Sequence, residues 1–274
     1  EPSDKEPVER HRRAAAVLDE WVRSGTLLRD PHPSMYVYRQ RFSIGREGSA
    51  ETFERLGLVC TVELVDFSKG IVVPHEKTLS APKQDRLEQL STLKANTGQI
   101  FGIALDADGL FESIRHAMTP DPLGSFVDET GTEHSLHHIT DPSRIEELRR
   151  RCEQAAVLIA DGHHRYETAL AYAQQSGIPG ARNVMMTLVD AADPGLCILP
   201  FHRCIKRHAG REVPSLANAL KDYFTVTEVP DGETNQLQHI ESFVRDTAGT
   251  AKEMLYVDAE TRKCYTLRLN RQGE

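Results

Sequence analysis

An apolar run from Ala155 to Ala160 leads through Asp161 and Gly162 into His163-His164-Arg165-Tyr166-Glu167-Thr168-Ala169, and no other stretch constrains the chain as strongly. The length and β-branched content of the run predict a buried strand, and Tyr166, Ala169, Leu170 and Ala173 then recur at helical spacing. A strand that turns into a helix through glycine points the first-turn N–H groups and the positive end of the helix dipole at one spot. Glycine also lets a ligand approach the backbone there. Such a geometry is an anion site, in which Arg165 can act as a bidentate clamp and His164 as a further donor to phosphate oxygens. A purely structural reading makes Asp161 an N-cap and Gly162 a turn. It leaves unexplained why two histidines and an arginine follow directly, since these groups repel one another unless an anion or metal answers them.

The string resembles the signature of the ParB/sulfiredoxin superfamily, in which a strand–glycine–helix element binds nucleotide phosphates. Gly162, His164, Arg165 and Tyr166 match the sulfiredoxin form, whereas His163 stands where sulfiredoxin has its reactive cysteine. That departure argues against sulfinic-acid repair, and the form with Asp161 and His163 is more similar to the free-serine kinases of the superfamily. Further blocks at Tyr36–Gln40, Pro74–Thr78, Pro82–Leu87, Asn96–Phe101, Ile159–Leu170 and from Leu188 to Arg203 resemble the family catalogued as domain of unknown function 1015, often labelled SpoOJ/ParB-like. This likeness extends over roughly residues 35 to 207. The superfamily signature implies a ParB/sulfiredoxin-like core that takes ATP or ADP with Mg²⁺.

Length and charge narrow the class. A chain of 274 residues can bury a full core in one large domain or two smaller ones. The expected division is an α/β core with an N-terminal helix over residues 1–210 and an α+β segment over 211–274. A net charge of −8, with no Lys/Arg run, argues against a protein whose main task is to hold duplex DNA. No apolar stretch approaches bilayer length and no signal-peptide pattern opens the chain, so neither a membrane nor secretion is expected. Cys60, Cys152, Cys197, Cys204 and Cys264 lack zinc-like or redox-pair spacing, which fits reduced thiols in a cytoplasm. The opening at Glu1, without methionine, is read as a sign of a fragment.

Along the chain, Ala14, Val17, Leu18, Trp21 and Val22 predict a helix ended by Gly25. Tyr36–Phe42, Leu58–Phe67 and Ile100–Leu105 read as strands, with a helix started by Pro82 between the last two. A hairpin is expected with Phe126–Asp128 and Ser135–Ile139 around Gly131, then a helix after Asp141-Pro142. Asn183–Val189 and Leu196–Leu199 read as strands around Asp193-Pro194-Gly195. From Glu212 the pattern reads helix, strand, helix, strand, strand.

Pro74 closes a strand-like run, so His75 to Ala81 should be an exposed loop, where catalytic groups are often placed. Glu76 is then a candidate general base, while Lys83 and Arg86, three apart on a helix, are candidate phosphate ligands. The alternative is a solvated mixed-charge loop. On the hairpin, His134 and His138 share one face and His137 points away. With Asp161, His163 and His75 they could make a metal site, although no compact zinc motif is present. His202-Arg203 is a further strand-end pair that could line the cleft.

Together these readings give a nucleotide-binding phosphotransferase for a small hydroxylated metabolite, free L-serine by similarity, with a homo-oligomer possible. Gly162, His164 and Arg165 would hold phosphates, His163 or Asp161 would orient a phosphate or Mg²⁺, and Glu76 would be the base. Two rival readings are a metal-dependent hydrolase and a nucleotide-switched ParB-like scaffold without small-molecule chemistry.

Overall fold

The computed structural model describes residues 7–44, 51–76, 80–105, 107–197, 204, 216–229, 253–258 and 261–270. The chain divides into two compact units, 1–197 and 198–274, and the expected boundary at residue 210 lies outside the described residues.

The first unit is a mixed α/β fold. Its elements are α1 (Pro7–Arg23), β1 (Met35–Ile44), β2 (Glu51–Glu63), β3 (Val72–Pro74), α2 (Ser80–Leu93), β4 (Ile100–Leu105), α3 (Leu110–Ala117), β5 (Gly124–Val127), β6 (Glu133–Ile139), α4 (Pro142–Glu153), β7 (Ala156–Asp161), α5 (His163–Ser176) and β8 (Asn183–Asp190). The strands form one sheet in the order β3-β7-β4-β8-β2-β1-β6-β5. Among the described residues only the β3–β7 and β4–β8 pairs are parallel.

Strand alternation sorts the side chains by face. Val37, Leu56, Leu58, Ile100, Ala104, Met186 and Leu188 are buried in one core with Leu110 and Ile114 of α3, Leu148 of α4, and Tyr166 and Ala169 of α5. In register, Tyr38 stands opposite Gly57, Gly57 opposite Val189, and Thr187 opposite Phe101, so these five residues belong to the other face. Gly57 belongs there for lack of room, since a Cβ would lie 2.5 Å from Thr187 Cγ2. His134 and His138 share this second face with Tyr38 and Tyr36, while His137 is buried, its Nδ1 donating to the Thr119 carbonyl 2.8 Å away.

Local chemistry places several ends. Asp141 caps α4, its carboxylate accepting from the Ser143 N–H at 2.8 Å, with Pro142 in the first helical turn. Asp128 holds the β5–β6 turn by accepting from the N–H groups of Thr130 and Thr132.

Some expectations need correction. Helix α2 starts at Ser80 and not at Pro82. Strand β2 begins at Glu51, because its first residues pair with the far end of β1 from Ile44 back to Arg39, and it stops at Glu63. Asp66 then caps a 3₁₀ turn over Phe67–Lys69. Helix α3, opened by Gly109 without a side-chain cap, was not anticipated. Leu196 and Cys197 are not in a strand. The Leu196 N–H instead donates to the Asp193 carbonyl, and residues 198–200 lie outside the described residues.

In the second unit a short helix α6 (Leu216–Ala219) precedes β9 (Phe224–Glu228), β10 (Glu253–Asp258) and β11 (Lys263–Leu269), an antiparallel sheet in the order β10-β11-β9. The second helix expected in this unit falls outside the described residues.

Candidate functional site

The parallel pairing of β3 with β7 sets Pro74 opposite Ile159, so the residues that follow both strands reach the same edge of the sheet. On the other side of β7, Phe101 of β4 stands opposite Asp161. Asp161 therefore remains in the strand and is not the helix cap. That position belongs to Gly162, whose φ of 96° and ψ of 26° lie in the left-handed region. The helical ladder of α5 begins with the Tyr166 N–H donating to the Gly162 carbonyl at 3.0 Å.

Arg165 folds back over this turn. A Cβ built on Gly162 would lie 3.1 Å from Arg165 Nε and 3.2 Å from Cζ, so glycine provides the space the guanidinium occupies. The guanidinium donates to Asp161 Oδ2 at 2.7 Å and to the Gln99 carbonyl. Asp161 thus acts as the resident anion of Arg165, at a solvent-exposed position that a phosphate could take instead. His164 sits half-buried in the same first turn.

His163 is buried, with only 2% of its side chain exposed. Its Nε2 accepts from the backbone N–H of His75 at 3.3 Å, which puts the ring proton on Nδ1, 3.1 Å from Glu76 Oε1. Burial, followed by the nearby His75, holds its pKa below the ordinary histidine value, against the opposing pull of Glu76, Asp161 and Glu167. The His75 ring meets His163 edge-on at 4.5 Å between centroids, and its Nδ1 lies 2.6 Å from the Ile159 carbonyl. An Nδ1–H donated there leaves His75 Nε2 as a ligand or acceptor nitrogen. One ligand atom each from His75, Glu76 and His163 lie within 4.8 Å of one another, a nitrogen–nitrogen–oxygen set that could hold a divalent ion.

A cleft of about 280 Å³ opens between α2 and α5, lined among others by Arg86, Gln89, Asn96, Gly98, Arg165 and Thr168. Arg86 donates to Gln89 Oε1 at 2.9 Å. The cleft joins two of the predicted phosphate ligands, Arg86 and Arg165, while the Lys83 side chain lies outside the described residues. Thr168 Oγ1 is buried there with no hydrogen-bond partner among the described residues.

A family model described as Protein of unknown function (DUF1015) matches residues 1–272. The chain belongs to that family. The DUF1015 match takes in both units and so reaches well beyond the blocks of residues 35–207. No curated protein and no solved structure matches the chain.

Within this DUF1015 chain, the predicted residues Glu76, Asp161, Gly162, His163, His164 and Arg165 gather at one end of β7. The hairpin histidines are not among the three groups that could share an ion; His134 bonds Tyr38 and Asp128, and His137 bonds Thr119 and Ser135. His202 and Arg203 lie outside the described residues. Tyr166 is structural, its hydroxyl donating to the Val65 carbonyl at 2.8 Å and accepting from the Val65 N–H at 3.0 Å. Thr168 and Gln99 went unremarked in the sequence. Thr168 was detectable as the residue three past Arg165 on the same helix face, and Gln99 as a polar residue at a strand start. No described helix is long and apolar enough to cross a membrane.

Proposed function

We propose that the protein is a nucleotide-dependent phosphotransferase acting on a small hydroxylated metabolite, with the ParB/sulfiredoxin-type motif at its centre and free L-serine as the first acceptor to test. One observation carries this reading: Glu76, far from the signature in sequence, reaches His163 at 3.1 Å beside the glycine-opened start of α5. The first turn of α5, with Arg165 and His164, supplies donors for phosphate oxygens, and Arg86 extends the positive lining into the cleft. Asp161 is the oxygen donor that suits Mg²⁺, which would arrive with the phosphates and neutralise their charge. The acceptor oxygen attacks the terminal phosphorus and the bond to the nucleotide leaving oxygen breaks. The acceptor proton passes to Glu76, whose carboxylate is oriented by His163. Catalysis is then mainly positioning and charge neutralisation.

The His75–Glu76–His163 set favours a second reading, a metal-dependent hydrolase, because the Ile159 carbonyl orients His75 in the way a ligand histidine is usually oriented. Elemental analysis, followed by mild chelation and Mg²⁺ re-addition, separates the two. Activity restored by Mg²⁺ supports the phosphotransferase, and irreversible loss tied to zinc or manganese supports the hydrolase.

The primary test is a thermal-shift and turnover screen of adenine, cytosine and guanine nucleotides with Mg²⁺ and hydroxylated amino acids. A nucleotide at 100 times its dissociation constant should stabilise the fold by about 2.7 kcal/mol. Arg165→Ala should weaken binding about 30- to 150-fold through loss of a charge-assisted contact. Glu76→Gln should leave affinity within a few-fold and lower turnover at least about 100-fold. Nucleotide binding with no product from any acceptor would move the reading to a nucleotide-switched scaffold.

A further inference from the structure

The sheet face turned away from the main core carries a second cavity, of about 190 Å³, whose lining includes Tyr38, Gln40, Arg55, Gln99, Phe101 and Thr187. Arg55 is half-buried there, with its guanidinium 5.5 Å from the centroid of Phe42 and 5.7 Å from that of Phe101. Gln40 Oε1 accepts from both Nε and Nη2, at 3.1 Å and 2.6 Å, which fixes the plane of the fork. No carboxylate is in ion-pair contact with Arg55 among the described residues. Asp193 acts on it only at longer range, its own oxygens accepting from the N–H groups of Leu56 and Gly195. A planar cation held in place at a half-buried cavity without a carboxylate against it is built for an incoming one.

Tyr38 adds a second recognition element. Its hydroxyl lies 2.6 Å from His134 Nδ1, and His134 Nε2 lies 3.0 Å from Asp128 Oδ2. With the ring proton on Nε2 facing the Asp128 carboxylate, His134 Nδ1 accepts the Tyr38 proton. The lone pairs of Tyr38 are then left for a donor in the cavity. Phe101 stands opposite Asp161, and the Gln99 carbonyl accepts from Arg165 while its side chain accepts from Thr187. The cavity and the α5 turn therefore share the start of β4.

We propose that this cavity is the acceptor subsite, in which Arg55 receives the carboxylate of a small hydroxy acid or hydroxy amino acid and Tyr38 accepts a hydrogen bond from its hydroxyl or amino group. Its role as acceptor subsite rests on the phosphotransferase reading; its affinity for carboxylates does not.

The test is direct calorimetric titration of the full chain, without nucleotide, with L-serine and D-glycerate against L-serinamide and glycerol, which lack the carboxylate. At least one carboxylate should bind saturably and at least about tenfold more tightly than its uncharged counterpart. Arg55→Gln should remove that preference by losing a charge-assisted pair. Should Arg55→Gln fail to fold, as judged by circular dichroism, Tyr38→Phe serves as the second variant and should weaken carboxylate binding several-fold. Carboxylate binding that depends on Arg55 but is never followed by phosphorylation keeps the subsite and removes the phosphotransferase reading. Phosphorylation in which glycerol serves as well as glycerate and Arg55→Gln leaves KM unchanged keeps the reading and overturns the subsite. No saturable binding of either carboxylate also overturns it.

Discussion

Replacing Gly162 with alanine should impair the site by two separable routes. The φ of 96° puts this residue where an alanine costs about 1–2 kcal/mol, partly offset by the roughly 0.4–1 kcal/mol that a less flexible unfolded chain returns. The added Cβ would also lie 3.1–3.2 Å from the Arg165 guanidinium, which must give by a few tenths of an ångström and so strains its contacts with Asp161 and Gln99. That exposed pair adds little to stability. The net loss is about 1 kcal/mol, or about 2–4 °C in Tm for a unit of this size. Gly177 is the internal control, because its φ of 65° is also left-handed while a Cβ there meets nothing within 4 Å. Differential scanning fluorimetry should show a loss for both Gly162→Ala and Gly177→Ala, no smaller for Gly162→Ala. Nucleotide titration should separate them, with affinity lowered at least about tenfold for Gly162→Ala and unchanged for Gly177→Ala. Gly162→Asn should recover much of the Tm, since asparagine tolerates the left-handed region, but not the affinity. A Gly162→Ala protein with the wild-type Tm, or with affinity equal to that of Gly177→Ala, would refute the reasoning.

Three further outcomes are expected. Tyr166→Phe strands both Val65 backbone groups and should cost about 1–3 kcal/mol in urea denaturation without altering nucleotide affinity, and a wild-type midpoint would contradict this. Hydrogen bonds from His134, then Thr130 and Thr132, hold the Asp128 carboxyl well below its ordinary value, so its contribution is full above about pH 3.9 and lost as pH falls. Asp128→Asn should therefore lose less stability than wild type between about pH 5 and pH 3, and parallel stability–pH curves would count against it. Burial pushes the Cys60 thiol up to about 12 and the Cys152 thiol up to about 11, whereas Cys204 is exposed. Brief alkylation of the native protein near pH 8, read by mass spectrometry, should label Cys204 well before Cys60 or Cys152.

The parts of the fold legible in the sequence are those whose signals are local. Strand β4 has the predicted bounds, Asp141-Pro142 marks the start of α4, and Gly131 sits in the expected hairpin turn. Strand β7, Gly162 and α5 follow as read, except that pairing with Phe101 keeps Asp161 in the strand and passes the cap to glycine. Helix α3 was hidden because Gly109 offers no capping side chain and the helix is short. The first half of β2 is hidden because Glu51, Glu54 and Arg55 look like a solvated run, and only their pairing with Ile44, Arg41 and Gln40 of β1 makes them a strand. The meeting of Glu76 with His163 has no local signal, since only the parallel β3–β7 pairing specifies it. The Arg55 cavity could not be read at all, because it needs the spatial order β4-β8-β2-β1, which no short window encodes.

The pairing of β3 with β7 also sets the order in which the molecule can be made. Val72 has to find Val157, and α2, β4, α3, the β5–β6 hairpin and α4 all lie between them in the chain. During vectorial synthesis Glu76 leaves the ribosome well before α5 exists, so the nascent chain carries half a site that has nothing to bind. The adjacent β1–β2 pair and the β5–β6 hairpin close short loops and can form early, whereas the β3–β7 contact must wait for a long loop to close. Ligand-binding competence is therefore acquired late, after most of the sheet has been synthesised, and a chain that stops short of β7 cannot assemble this site.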